Sequence, residues 1–272
     1  MTKNLNNLGL KNIVENYDLF FIDIWGVLHN GIYFFEDAIK TLDELEKLKK
    51  KYVLLSNAPR PNFSVKKFLI KMGISENISN KVYTSGQASL DYLLKNFKDK
   101  KFFHLGPARD FDLFDSFKIN KVNEIKKCAY IICTGLFDEH DQDLNYYKKM
   151  LNEEINKKMI CTNPDLVVDR GEKREYCAGS VAKIFEELGG RVEYFGKPYA
   201  NVYSQSIKIE NNRVLCIGDN LNTDIRGANM QNFSSLLISN GIHKKELENK
   251  NQNDLFKQYN VNVDYTQNNL KW

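Results

Sequence analysis

An α/β fold built on a mainly parallel sheet is what this sequence predicts, and three observations carry the prediction. Apolar runs of strand length alternate with segments of helical period through most of the chain, as in βαβ units. The runs are apolar at successive positions, as in strands buried on both faces. Several end in a carboxylate or other polar residue beside a turn signal, at the sheet edge where open α/β folds bind ligands. With 272 residues, the chain suffices for one large domain or two modest ones.

The first strand is Leu19-Phe20-Phe21-Ile22, which runs into Asp23 and turns at Gly26. Ala38, Ile39, Leu42, Leu45 and Leu48 recur at helical spacing and predict a helix over 36–50. A strand over 52–55 ends in Ser56-Asn57-Ala58-Pro59-Arg60-Pro61, where two prolines force a turn before a helix over 62–72. A strand over 82–84 and a helix over 87–95 follow. The pattern then repeats with strands over 101–105, 129–133 and 159–161 and helices over 144–156 and 178–188. Gly189-Gly190 reads as a boundary. Beyond it the sequence predicts strand 192–195, helix 200–209, strand 213–217, helix 223–230, strand 235–238 and a polar tail. The simplest architecture is a core made of 1–95 and 191–272, with a second α/β domain, 96–190, inserted.

Composition narrows the partners. Hydrophobic content of 42% and charged content of 27% are ordinary globular values. The formal net charge of +4 is small, and its densest cluster, Lys47 and Lys49–Lys51, sits at a helix end where cations favour the dipole. No segment has the pattern of a nucleic-acid module. The five cysteines include no Cys-x-x-Cys pair and mostly lie in apolar runs, as buried thiols of a reducing cytosol do. The N-terminus is polar and Asn-rich, without a signal-peptide core. Nothing approaches the ~18 apolar residues of a membrane span. A soluble cytoplasmic protein with no nucleic-acid or membrane partner is expected.

Chemistry concentrates at strand ends. The run Val214-Leu215-Cys216-Ile217 leads into Gly218-Asp219-Asn220, and Asp224 follows five residues after Asp219. Asp23 could cap a turn and Asp224 a helix. Two separate buried strands ending in Asp ask for more: carboxylates gathered at one edge repel unless a cation joins them, and oxygen ligands beside a phosphate suit Mg²⁺. Lys197 lies between Gly196 and Pro198, and Ser56-Asn57 offers a hydroxyl and an amide of the kind that hold phosphate oxygens.

A nucleophilic carboxylate, a hydroxyl, a lysine and a metal-binding acid, in that order, resemble the haloacid dehalogenase (HAD) superfamily. Cys161-Thr162-Asn163-Pro164-Asp165, Cys177-Ala178-Gly179-Ser180, Gly196-Lys197-Pro198 and Gly218-Asp219-Asn220 with Thr223-Asp224 are similar to the NagD-like branch, subfamily IIA. Within it, Asp23-Ile24-Trp25-Gly26-Val27 looks like a little-characterised hydrolase group. The resemblance implies a Rossmann-like core and makes the inserted domain a C2-type cap. It implies an Mg²⁺-dependent phosphatase of a small phosphorylated metabolite. Asp23 would be the nucleophile of an aspartyl-phosphate, and Lys197 would neutralise charge on it. Ser56 would bind a phosphoryl oxygen, with Asn57, Arg60 and Asn220 as further phosphate- or substrate-binding candidates. The metal would be held by Asp23, Asp219, Asp224 and the backbone carbonyl of Trp25. Related caps often dimerise, so a homodimer through the cap is expected by analogy.

Trp25 departs from the phosphatase pattern, which has a second Asp there as general acid for the leaving alcohol. Positioned acid catalysis contributes about 10²–10⁴-fold, so its loss dents the rate without removing nucleophile, metal or lysine. His29 in the following turn and the cap segment Asp138-Glu139-His140-Asp141 are substitute candidates, each with an ordinary alternative as a turn histidine or a solvated loop. Two other functions stand beside the phosphatase: a catalytically weakened binding or regulatory protein on the same scaffold, and a metal-free dehalogenase-type hydrolase.

Overall fold

A computed structural model describes residues 2–170, 173–210 and 212–272. The chain divides into two compact units, one made of Met1–Ser56, Lys66–Tyr83 and Lys197–Trp272, the other of Asn57–Val65 and Thr84–Gly196.

The first unit is organised on a seven-stranded sheet in the order Lys3–Asn4, Tyr265–Gln267, Ser234–Ile238, Val214–Gly218, Leu19–Ile22, Lys51–Ser56, Val82–Thr84. The pairings from Lys3–Asn4 across to Lys51–Ser56 are all parallel. The central strands are apolar throughout because both of their faces are covered. Leu19, Phe21, Val214 and Cys216 pack with Val202, Tyr203 and Ala228. Phe20 and Ile22, whose side chains point to the opposite face, are equally buried. Each such side chain contributes about 1.5–3 kcal/mol relative to exposure. The helix Glu36–Lys47 buries Ala38, Leu42 and Leu45 of the predicted stripe, and Thr41 beside them, while Leu48 lies past its end and is exposed.

The second unit has its own five-stranded parallel sheet, in the order Arg191–Tyr194, Lys158–Cys161, Tyr130–Cys133, Phe102–Leu105, Lys121–Val122. An antiparallel pair, Val167–Arg170 with Lys173–Tyr176, accompanies it. Leu105, Ile131, Met159, Val181, Ala182 and Phe185 lie in its core. The alternation of elements thus produces an α/β fold with parallel sheets, as the sequence predicts.

Three expectations are corrected. The helix Ser85–Asn96 and the strand Arg191–Tyr194 belong to the second unit, not to the core that 1–95 and 191–272 would form. Gly189-Gly190 is no domain boundary: Gly189, at φ +95°, stops the helix Ala178–Glu187, and the next strand pairs with Lys158–Cys161. The polar tail is structured as well. Its helix Gln252–Tyr259 packs Leu255 and Phe256 against Leu221, Ile225 and Leu237, and Tyr265–Gln267 pairs with Ser234–Ile238. All five cysteines are buried and free. Among the described residues no helix is long and apolar enough to cross a membrane.

Candidate active site

Two adjacent strands present the first two carboxylates. Ile22 and Ile217 are register partners, so Asp23 leaves the sheet beside Gly218, with Asp219 one residue further. The Asp23 N–H donates to the Ile217 carbonyl at 2.8 Å, which holds the two strand ends together. Asp224 comes from a π-helical turn, Leu221–Ile225, that opens on Asn220. The Asn220 side chain accepts from the Asn222 N–H at 2.8 Å, and its own N–H donates to Asp224 Oδ2 at 3.1 Å. Thus Asn220 turns Asp224 back toward the sheet edge.

The result is a cluster in which oxygens of Asp23, Asp219 and Asp224 lie within 4.8 Å of one another, and all three residues are buried. Lys197 sits against it, its Nζ donating to Asp23 Oδ1 at 2.5 Å and Asp224 Oδ1 at 2.7 Å. Asp219 Oδ2 accepts from the Ile242 N–H at 2.8 Å. Gly26, at φ +80°, passes so close that a Cβ there would lie 2.1 Å from Asp219 Oδ2. A side chain at position 26 would therefore both strain the backbone and displace the carboxylate.

The electrostatics follow from this crowding. Burial and the neighbouring Asp23 and Asp224 carboxylates push the Asp219 carboxyl well above its usual range, against the Ile242 N–H and Lys197, which act the other way. Burial opposes the charge of Lys197, yet Asp224 and Asp23 outweigh it and hold the ammonium well above its ordinary value. Two unit charges 4.8 Å apart repel by roughly 3 kcal/mol at an effective dielectric near 20. Three ionised carboxylates facing one ammonium leave two negative charges uncompensated. Hard oxygen donors with that residual charge fit a divalent cation such as Mg²⁺.

Ser56 closes the strand Lys51–Ser56, which pairs with Leu19–Ile22, and is buried at the same edge. The Trp25 indole lies over Gly31, where a Cβ would fall 2.6 Å from it, and meets the His29 ring edge-on at 5.1 Å.

Sequence comparison places these features in a family. A model described as haloacid dehalogenase-like hydrolase matches residues 20–120, and one described as HAD-hydrolase-like matches 194–264, together more than half of the chain. A 4-nitrophenylphosphatase of Schizosaccharomyces pombe is 24% identical over 265 residues, 87% of this chain and 88% of that protein. Phosphoglycolate phosphatase 2 of Arabidopsis thaliana is 24% identical over 270 residues, 88% of each chain. Among solved structures, a haloacid dehalogenase-like hydrolase of Brucella suis 1330 superposes with a TM-score of 0.81 at 29% identity, covering 96% of this chain and 98% of that one. The chain is a haloacid dehalogenase-like hydrolase. The relative named 4-nitrophenylphosphatase supports the NagD-like branch, subfamily IIA, that the motifs resemble.

Of the nine site residues expected from sequence, this HAD-like hydrolase gathers Asp23, Lys197, Asp219 and Asp224 in direct contact or near it, with Ser56 on the neighbouring strand end. Trp25 sits two residues past Asp23 with its indole packed on Gly31 and His29. Asn220 caps the turn that carries Asp224 and donates its backbone N–H to that carboxylate. Asn57 and Arg60 fall in the second unit and have other work. Asn57 Nδ2 donates to Asp165 Oδ1 at 3.0 Å. Arg60 Nη2 pairs with Asp110 Oδ1 at 3.2 Å, and burial raises the Asp110 carboxyl to about 6 although Arg60 acts to lower it.

The two substitute acids also change. His29 does lie in the turn but is 2% exposed, its Nδ1 accepts the Gly31 N–H at 2.9 Å, and its ring is wedged between Trp25 and Phe68. Burial lowers its pKa to about 4, so the imidazole is neutral near pH 7. In the second unit, Asp138 pairs with Arg109, Asp141 with Lys173 at 3.2 Å, and His140 stacks on Tyr146, as expected of a solvated loop.

The residues that sequence reasoning missed act through the backbone. Ile242 contributes its N–H and Gly241 its lack of a side chain. The turn signal Ser239-Asn240-Gly241 straight after a buried strand was the available clue.

Proposed function

We propose that the protein is an Mg²⁺-dependent phosphatase of a small phosphate ester, acting through an aspartyl-phosphate on Asp23. The observation that carries this is Asp23 Oδ1 held at 2.5 Å by a buried Lys197 inside a three-carboxylate cluster at the carboxyl edge of the sheet. Relatives named as phosphatases support the same reaction class.

In this mechanism Asp23 attacks phosphorus in line, the leaving oxygen departs, and water then hydrolyses the aspartyl-phosphate. Lys197 holds the attacking carboxylate in place and stabilises charge on the transferring group. Ser56 binds a phosphoryl oxygen. Asp23, Asp219, Asp224 and the Trp25 carbonyl would hold the metal, which when bound offsets the repulsion among the carboxylates and attracts the phosphate. Hydrolysis of p-nitrophenyl phosphate by the pure protein should require Mg²⁺ and stop on chelation. Failure across a broad set of phosphate esters with Mg²⁺ present would favour the binding or regulatory reading. The metal-free dehalogenase reading is opposed by Asp219 and Asp224, whose crowding gains nothing without a cation.

Two predictions arise here. The first concerns pH. Because burial and the like charges beside it raise the Asp219 carboxyl above its unfolded value of about 4, metal-free stability from this group falls as pH rises from there through the raised pKa. His29 and His104, both lowered to about 4 by burial, act oppositely and lose stability as pH falls below about 6.5. The clean quantity is thus the gain in melting temperature on adding Mg²⁺. It should grow from about pH 5 to about pH 8, since protons compete with the metal. An equal gain at both ends would contradict the assignment of Asp219.

The second concerns Trp25, which has no usable proton for a leaving alkoxide. Turnover should fall steeply as the leaving-group pKa rises across a series of aryl and alkyl phosphates. Trp25→Asp should flatten the slope, recovering part of the ~10²–10⁴-fold that a positioned acid supplies for poor leaving groups. A flat dependence in the natural protein would mean that another acid serves.

A further inference from the structure

The turn that presents Ile242 to Asp219 is braced by a polar chain the reaction itself does not use. After Ser234–Ile238, the Ser239 and Asn240 N–H groups donate to the Gln267 and Asn268 carbonyls at 2.9 and 3.0 Å. Gly241 then runs so close beneath the carboxylate that a Cβ would lie 2.1 Å from Asp219 Oδ2, and the Ile242 N–H donates to that same oxygen. The next residue, His243, is buried, with its Nδ1 2.5 Å from Glu246 Oε2. Both Glu246 oxygens accept from the Tyr259 hydroxyl at 3.1 Å, and the Tyr259 ring meets the His243 ring edge-on at 4.9 Å. Finally, Arg226 Nη2 donates to the Tyr259 carbonyl at 2.9 Å, and Arg226 opens the helix directly after the turn that carries Asp224.

These contacts close a ring: Asp219, Ile242, His243, Glu246, Tyr259, Arg226 and back to the Asp224 turn. We propose that His243, Glu246 and Tyr259 are positioning residues that fix the Asp219 carboxylate relative to Asp224. An aspartate on a strand end can rotate its carboxylate freely unless something holds one oxygen. Here the holder is a backbone N–H whose own place depends on a buried His–Glu–Tyr brace anchored beside the other carboxylate. Outer-sphere partners of this kind orient ligands before the ion arrives, and their loss typically costs 10–100-fold in metal affinity or activity. The inference rests on the metal reading above, and adds to it three residues that touch neither substrate nor metal.

The test is calorimetric titration of the full chain with Mg²⁺ alone, on the wild type, His243→Ala and Tyr259→Phe, with melting temperatures recorded in parallel. His243→Ala should weaken Mg²⁺ binding by about tenfold or more, and Tyr259→Phe, which deletes one hydroxyl, by several-fold. In both, kcat with p-nitrophenyl phosphate should return toward the wild-type value at saturating Mg²⁺. Binding unchanged within about twofold, alongside a lowered melting temperature, would make the brace merely structural and overturn the proposal. If His243→Ala does not fold, Tyr259→Phe decides alone. Absence of Mg²⁺ binding by the wild type would instead overturn the metal reading, and with it this one.

Discussion

Asp23→Asn should lose at least about 10⁴-fold in turnover of p-nitrophenyl phosphate while remaining as stable as the wild type or more so, since a removed covalent nucleophile leaves only binding and electrostatic effects. The stability half of the result is the more diagnostic. Asn has the shape of Asp, and Lys197 keeps its second partner, Asp224 Oδ1 at 2.7 Å. One of the like charges that raise the Asp219 pKa disappears, so repulsion at the edge of the sheet falls. Activity lost with stability held or gained is the pattern of a site whose strain serves chemistry. Activity lost together with folding would say only that Asp23 is structural. Retained metal-dependent turnover in a folded Asp23→Asn protein would remove Asp23 as nucleophile.

Lys197→Met should be the most damaging change to stability in the site. Its ammonium, 5% exposed at the side chain, bridges Asp23 and Asp224, and methionine fills similar volume without charge. Breaking a buried pair by removing one partner costs about 3–5 kcal/mol, because the remaining charges are left uncompensated. Urea unfolding should therefore shift strongly at about pH 8, and less at about pH 5, where the raised Asp219 carboxyl can hold a proton instead. Mg²⁺ should restore part of the lost stability, since it supplies charge to the same cluster. Activity should fall by about 10²–10³-fold even when the variant is saturated with metal, the order seen when one preorganised charge-stabilising group is removed. A Lys197→Met protein as stable as the wild type without metal would mean that Asp23 and Asp224 do not depend on this ammonium for charge balance.

The two strands that carry the chemistry were legible because their sequence is over-determined. Leu19–Ile22 and Val214–Gly218 are buried on both faces, so the apolar run is continuous, and the first polar residue after it marks the sheet edge. Asp23 and Asp219 could be placed from that alone, and their convergence follows from adjacent parallel strands in register, whereas Asp224 is brought in by the turn that Asn220 opens. Asn57 and Arg60 could not be placed, because their partners, Asp165 and Asp110, lie 108 and 50 residues away in sequence and nothing local signals them. Gly189 misled for a different reason: a glycine that ends a helix and a glycine that ends a domain look alike in one dimension. The tail was missed because its helix Gln252–Tyr259 buries only Leu255 and Phe256, and its strand Tyr265–Gln267 is three residues long and lacks alternation. Ile242 is signalled only by the turn Ser239-Asn240-Gly241 before it, not by its own side chain. It acts through a backbone N–H, which every residue but proline possesses.

The central claim is covalent, and it has a direct measurement. Protein mixed with p-nitrophenyl phosphate and Mg²⁺ is quenched in acid during turnover, reduced with borohydride, digested and analysed by peptide mass spectrometry. An aspartyl-phosphate reduces to homoserine, and the account predicts that homoserine at position 23 alone, absent when substrate is omitted. Homoserine at another aspartate, or turnover with no reducible intermediate under conditions where a burst of p-nitrophenol is seen, would contradict it.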